Sequence, residues 1–346
     1  MLIPVSLFIL GLLLLIKGGD WFVDGACGIA KRFNIPDVLI GATVVSIGTT
    51  LPEVMVSATS AAQGHGQMAY GNAFGSIICN TALIAAITIA IKPAKVNKKT
   101  MKVPVVFFFI SEALYCAIAY TTGNFSRPVG FLLLGIFVIY MVLCVKDALG
   151  QKSTASSGAD FGTVPEPEDN APSGENEEKK KERALWLELV FLVIGAVAIA
   201  FGADLLVDNG IIIATGLGVP ETVVALTFVA LGTSLPELVT AVTSLIKGHG
   251  SLSVGNICGA NLFNLILVSG VSISIGPFSF ENAGFATKQF MGREVFTALL
   301  VDTPLSIVVM LIMTLPIFIK GKLEKWQGIL LLIIYFAYCT YQFAGV

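Results

Sequence analysis

The sequence predicts an all-α membrane protein of ten transmembrane helices, built as two inverted five-helix repeats with broken helices in spans 2, 3, 7 and 8. Three observations predict it. Of 346 residues, 55% are hydrophobic and 13% charged, with a mean hydropathy of +0.85, against roughly 45–50% and about 25% in ordinary soluble domains. Apolar runs of about 20 residues, the length that crosses a bilayer, recur along the whole chain. The hexapeptide Gly48-Thr49-Thr50-Leu51-Pro52-Glu53 returns as Gly232-Thr233-Ser234-Leu235-Pro236-Glu237, 184 positions later.

The predicted spans are 4–31, 36–63, 67–91, 101–121 and 128–146, then 184–214, 219–246, 251–276, 294–319 and 326–344. The run from Val5 to Ile16 has no basic region before it and no small-residue cleavage pattern after it, so it reads as a retained helix rather than a signal peptide. Trp21, Trp186 and Trp326 fit interfacial anchors. Residues 147–183 are rich in Ser, Gly, Pro and acidic residues and end in Lys179-Lys180-Lys181. Such a segment cannot bury a core and is expected to be a disordered cytoplasmic linker. It divides a first repeat, 1–146, from a second, 184–346.

With the N-terminus outside, 17 of the 21 Lys and Arg residues fall on the cytoplasmic side. The positive-inside rule therefore places both termini outside, in a multi-pass cell-membrane protein. At the same offset of 184, Gly18, Asp20, Asp24, Pro36 and Thr43 match Gly202, Asp204, Asp208, Pro220 and Thr227. Gly64-His65-Gly66 matches Gly248-His249-Gly250, and Gly71-Asn72, Gly75 and Asn80 match Gly255-Asn256, Gly259 and Asn264. An odd number of spans per unit turns the second copy upside down, about a pseudo-two-fold axis in the membrane plane.

Glu53 and Glu237 each fall near the middle of an apolar span, where an uncompensated carboxylate is costly. Gly48 and Gly232 loosen the helix, and Pro52 and Pro236 remove a backbone donor and suit the first turn of a restarted helix. The hydroxyls of Thr49-Thr50 and Thr233-Ser234 could cap that restart. Unwound backbone at membrane depth must line a cavity. Two carboxylates with neutral oxygens suit Ca²⁺, which takes 6–8 oxygen ligands, better than a transition metal. Asn72, Ser76 and Asn80 recur every four residues and share one helix face; the second copy reads Asn256, Ala260, Asn264. Gly71 with Gly75, and Gly255 with Gly259, form G-x-x-x-G strips for close helix approach.

The doubled G-T-[TS]-L-P-E and G-N-x-x-G-[SA]-x-x-x-N signatures resemble the α-repeats of the Ca²⁺:cation antiporter superfamily, most closely prokaryotic Na⁺/Ca²⁺ exchangers. The resemblance covers essentially all ten spans. It implies that Glu53 and Glu237 ligate Ca²⁺ with the backbone carbonyls of Thr49 and Thr233, and that Asn80 and Asn264 complete the centre. It also implies two flanking Na⁺ sites. One uses the Ser46 carbonyl and the Thr50 hydroxyl, the other the Ala230 carbonyl and the hydroxyls of Ser76 and Ser234. Ala260 stands where related exchangers have a serine at the first of these, and Asn264 where some members carry Asp, so the coupling ion is left open.

The expectation is thus a secondary-active exchanger of Ca²⁺ for Na⁺ acting by alternating access. An H⁺/Ca²⁺ exchanger is the alternative, and a Ca²⁺-permeable channel is a weaker one. Spans 1 and 6 look like the bundle that slides against the site, as the family's fold implies. No nucleotide loop, nucleophile motif or H-E-x-x-H is found, so an enzyme is not expected, nor is a cofactor beyond the transported ions. The net charge of −2 suggests no nucleic acid, and beyond the lipid bilayer no obligate protein partner is expected. The six cysteines lie scattered in apolar runs and read as packing residues. His65 and His249 read as turn residues and Lys17 as a local partner of Asp20; Asp20 and Asp24 could attract cations or merely pack.

Overall fold

The computed structural model describes residues 2–33, 35–93, 95–155, 184–216, 232–285, 287–290 and 293–344. Its helices are α1 (Leu2–Phe33), α2 (Asp37–Ala62), α3 (Gly66–Ile91), α4 (Lys98–Thr121) and α5 (Arg127–Ala155). The second half contributes α6 (Leu185–Gly216), α7 (Leu235–Ile246), α8 (Gly250–Ile275), α9 (Ala298–Lys320) and α10 (Lys325–Ala344). Eight of these are long and apolar enough to cross a membrane. Two are not of that set: α7 has 12 described helical residues, and α10 opens on the polar Lys325 and Gln327. Helix α5 runs nine residues beyond the expected end at 146, so 147–155 of the expected linker 147–183 are helical; its remainder, 156–183, lies outside the described residues, as do Pro220 and Thr227.

The helices do not break where the sequence suggested. Spans 2, 3 and 8 are continuous, each carrying one π turn: Gly41–Val45 in α2, Asn80–Ala85 in α3 and Asn264–Val268 in α8. Helix continues through Pro52, which sits inside the segment Ser46–Ala62. Pro52 offers no N–H to the Gly48 carbonyl, a loss that a transmembrane helix tolerates when its surroundings re-satisfy the freed group. In span 7, α7 starts at Leu235 with Pro236 in its first turn, as expected of a restarted helix. Neither hydroxyl caps it, since Ser234 occupies the N-cap without a side-chain hydrogen bond.

Burial sorts the helices into centre and rim. Of the most apolar stretch, 83% is buried in α8, 72% in α3 and 61% in α2, against 22% in α1 and in α5. Helices α2, α3 and α8 therefore form the heart of the bundle. The G-x-x-x-G strip of α8 explains how closely they meet. A Cβ on Gly255 would stand 2.3 Å from the Val38 carbonyl oxygen, and one on Gly259 2.3 Å from Ser46 Oγ and 2.6 Å from Ala42 Cα. The matching strip in α3 makes no such approach among the described residues, since nothing lies within 4 Å of a Cβ on Gly71 or Gly75.

Helices α1 and α6 pack along each other through glycines spaced seven apart. A Cβ on Gly11 would lie 2.8 Å from the Gly202 carbonyl oxygen, and one on Gly18 3.0 Å from that of Gly195. The pairs run antiparallel and exchange into one another at an offset of 184, as a local two-fold relation requires. The repeat is also visible in the turns: Gly64 and Gly248 have φ of 82° and 84°, each followed by a histidine N-cap to α3 or α8.

Two short ribbons complete the fold. Strand β1 (Asn124–Phe125) pairs antiparallel with β2 (Phe278–Ser279), and β3 (Thr287–Phe290) with β4 (Arg293–Phe296). The first ribbon gathers Phe125, Phe278, Phe280 and Phe285 over Tyr70 and Tyr115, an aromatic plug at the start of α3.

At the opposite end, the α7–α8 turn is tied to α1 and α2. Lys247 Nζ donates to Asp24 Oδ1 at 2.8 Å and to the Asp20 carbonyl at 2.9 Å, so Asp20 pairs with Lys247 rather than with Lys17. His249 Nδ1 lies 2.8 Å from Asp37 Oδ2. Hydrogen bonding to Asp37 first, then to Cys27, raises the imidazole from its ordinary 6.5 to about 10. The folded state thus holds the proton more tightly than the unfolded chain, and the tie's contribution is complete below pH 6.5 and fades as pH climbs through about 10. Asp37→Asn should lower Tm at pH 6.5 and leave it near wild type above pH 10. A pH series of Tm for both proteins checks this, and a gap that does not close contradicts the pairing.

Candidate functional site

The two signature carboxylates are drawn toward one another between α2 and α7. Glu53 and Glu237 are wholly buried, Glu237 acts electrostatically on Glu53, and the Thr49 side chain adjoins Glu237. Among the described residues neither carboxylate has a hydrogen-bond partner for either oxygen. Around them stand Thr50 and Ser234, buried with unpartnered hydroxyls, and Asn80 and Asn264, buried with both amide atoms unpartnered. Orphan polar atoms at this density are unusual in a native interior. They sit at the residues the doubled motifs pick out.

Placement follows from the local backbone. Asn80 and Asn264 each open a π turn, a widened helical turn that often marks functional sites. Ser76 is buried one turn before Asn80, and Ala260 is buried one turn before Asn264. Ser46 is buried on α2, and its hydroxyl faces Asn256 on α8, 2.9 Å from the carbonyl oxygen and 3.2 Å from Oδ1. The Ser46 carbonyl accepts from the Thr49 hydroxyl at 3.5 Å. Thr233 is half-buried, and Ala230 lies outside the described residues.

Asn72 and Asn256 contribute more than the helix-face pattern suggested. Asn72 Nδ2 donates to the Glu53 carbonyl at 3.2 Å and to the Ser57 hydroxyl at 2.8 Å, fixing the backbone behind the carboxylate. Thr49 donates to Asn256 Oδ1 at 3.5 Å, and Thr233 to Asn72 Oδ1 at 3.5 Å. These two contacts are equivalent under the repeat, and each stitches the hexapeptide of one half to the asparagine of the other.

Among the described residues there is no group of three or more His, Cys, Asp or Glu able to hold a metal. The buried cluster instead brings two carboxylates together with neutral hydroxyl and amide groups. That donor set is dominated by hard oxygens, with the single Cys79 thiol beside Ser234 and Glu237, and suits Ca²⁺ or Na⁺ better than zinc or copper.

Glu112 on α4 and Asp302 at the end of the π turn Ala298–Asp302 escaped the motif reading. Glu112 is 1% exposed in the middle of a span. Its repeat position is Phe296, so no duplication flagged it; an acidic residue inside an apolar run was the available signal.

Fold and site together define an all-helical, multi-span membrane protein with a buried cluster of polar side chains around two carboxylates. The chain belongs to the family of sodium/calcium exchanger proteins, whose model matches residues 3–146 and 187–344. It is 32% identical to the membrane protein MJ0091 of Methanocaldococcus jannaschii, over 97% of this chain and 96% of that one. It is 29% identical to the sodium/calcium exchanger MaX1 of Methanosarcina acetivorans, over 97% of each. The structure of the sodium-calcium exchanger NCX_Mj soaked with 2.5 mM Na⁺ and 0.1 mM Sr²⁺ superimposes with a TM-score of 0.75 at 30% identity, covering 97% of each chain.

Proposed function

We propose that this protein is a secondary-active antiporter that exchanges Ca²⁺ for Na⁺ at a single pocket opened alternately to the two sides of the cell membrane. The observation that carries the reading is the pair of buried carboxylates, Glu53 and Glu237, with all four oxygens unpartnered among the described residues beside the orphan groups of Thr50, Asn80, Ser234 and Asn264. Two uncompensated charges at this depth cost several kcal/mol, so a cation must accompany them through each transit. One divalent or several monovalent ions satisfy the same oxygens, and competition between them is what makes transport an exchange. Ca²⁺ engages Glu53 and Glu237 with the Thr49 and Thr233 carbonyls, and Asn80 and Asn264 complete its shell. Na⁺ occupies flanking positions, one at Ser46 and Thr50, the other at Ala230, Ser76 and Ser234.

Ten spans in two inverted five-helix halves, 1–146 and 184–346, with both termini outside, accommodate this cycle. The two-fold-related contacts of Gly11 with Gly202 and Gly18 with Gly195 support the inversion. The α1–α6 pair, lying at the rim, is the unit that moves against the buried α2, α3 and α8.

Vesicles reconstituted with the protein and loaded with Ca²⁺ test the reading. Release is expected on imposing an opposing Na⁺ gradient. Release driven only by an opposing pH gradient would assign H⁺ as the coupling ion, an outcome that Ala260 favours by removing a hydroxyl from the stack. Release with no opposing gradient would make the protein a channel and overturn exchange.

A further inference from the structure

The α3–α4 and α9–α10 connections meet at one end of the bundle. Lys95 and Lys322 face each other across an isolated antiparallel bridge. The Val96 N–H donates to the Gly321 carbonyl at 3.0 Å, and Lys98 Nζ donates to the Ile319 carbonyl at 2.9 Å. Val96 and Leu323 are buried and anchor the two segments.

Charge on this junction is one-sided. Residues 92–102 carry Lys92, Lys95, Lys98, Lys99 and Lys102 and no acidic residue. Residues 319–326 add Lys320, Lys322 and Lys325 against a single carboxylate, Glu324. All of these lysines are exposed. Glu324 is shared between Lys320 at 3.1 Å and Lys322 at 2.9 Å, and Lys95 has no carboxylate partner among the described residues.

The repeat shows that the same bridge forms without charge. Ser279, 184 positions after Lys95, makes it at the other end of the bundle with Asn124. Residues directly opposite in an antiparallel pair share a face, with Cβ atoms roughly 5 Å apart, and like charges there repel. The fold therefore carries, at the lysine end alone, a repulsion that an anion between the two ammonium groups relieves. A bias of positive charge toward one face of the membrane does not by itself set two lysines opposite each other. Lysines at the ends of membrane-crossing helices reach the headgroup layer, and α3, α4 and α9 are long and apolar enough to be such helices. Trp326 is half exposed and donates through Nε1 to Glu324 Oε2 at 2.9 Å, which places an indole beside the lysines.

We propose that this junction binds the headgroup of an anionic phospholipid, its phosphate held between Lys95 and Lys322 and Trp326 at the edge of the site. The occupant is lipid rather than a soluble anion because the helix ends hold the lysines where a membrane presents its phosphates. The site stands whether or not the protein exchanges ions.

Trp326 serves as the reporter. In a Trp21→Phe, Trp186→Phe background it is the sole tryptophan, and its fluorescence in reconstituted vesicles is compared between brominated phosphatidylglycerol and brominated phosphatidylcholine. The anionic lipid should quench more strongly, and salt should weaken that preference. Lys95→Gln and Lys322→Gln should each lower the preference roughly fivefold, whereas Lys95→Arg with Lys322→Arg should retain it. Lys288→Gln, on β3 at the opposite end of the bundle, should leave it unchanged. Equal quenching by the two lipids, or a preference that survives both glutamine substitutions, overturns the proposal. Loss of the preference on adding inorganic phosphate at constant ionic strength would assign the site to a soluble anion and likewise overturn it.

Discussion

Glu53→Gln and Glu237→Gln should each abolish Ca²⁺ flux in reconstituted vesicles while leaving the protein folded. The substitution preserves shape and removes one of the two charges available to a divalent ion where, among the described residues, neither carboxylate has a hydrogen-bond partner. Breaking a buried charge pair by removing one member costs about 3–5 kcal/mol, and about 1.4 kcal/mol is a factor of ten. The expected loss is therefore at least about 100-fold in flux at fixed Ca²⁺. Without ions, Tm should hold or rise, because an uncompensated buried charge has gone. Normal exchange by either variant would sink the pocket assignment, whereas a collapse of Tm would point to a structural role.

Gly259→Val should disable the protein by another route. The new Cβ would stand 2.3 Å from Ser46 Oγ, 2.6 Å from Ala42 Cα and 2.8 Å from Ala42 C. Two of those atoms are backbone, so no rotamer change relieves the clash, and α8 must move off α2. Overpacking of this kind costs about 1–3 kcal/mol, enough to lower Tm by roughly 5 °C. Because the same movement separates Ser46 and Thr49 from Asn256, Ca²⁺ flux should fall as well. Gly135→Ala on α5 is the control: nothing lies within 4 Å of its Cβ, and alanine favours helix by about 1 kcal/mol over glycine. Equal Tm losses in the two variants would show that the α2–α8 contact has no special importance.

The features legible in the sequence were those written in it twice. Duplication singled out Glu53 with Glu237, Asn80 with Asn264, and the paired Gly-His-Gly turns, and apolar length marked a multi-span helical membrane protein. The backbone at Pro52 was misread, because a proline and a glycine inside a span fit a break and a π-adjusted continuous helix equally well; only the packing of neighbours chooses. The G-x-x-x-G strips were read as equivalent. Yet of these four glycines Gly255 and Gly259 meet another backbone among the described residues and Gly71 and Gly75 do not, since a glycine permits close approach without compelling it. His249 was read as a turn residue and is in addition an ion-pair partner of Asp37, 212 positions away.

Apolar run length, the positions of charge and the repeated hexapeptide by themselves determined that this chain lies in a membrane and that two acidic residues fall inside its apolar spans, where hydrocarbon admits a carboxylate only at a cost. Tertiary structure alone decided which groups stand beside them. Asn72 behind Glu53, and Asn256 against Ser46 and Thr49, are meetings of residues 19 to 210 positions apart. Their orphan or satisfied state follows from helix packing, which no local pattern of residues encodes.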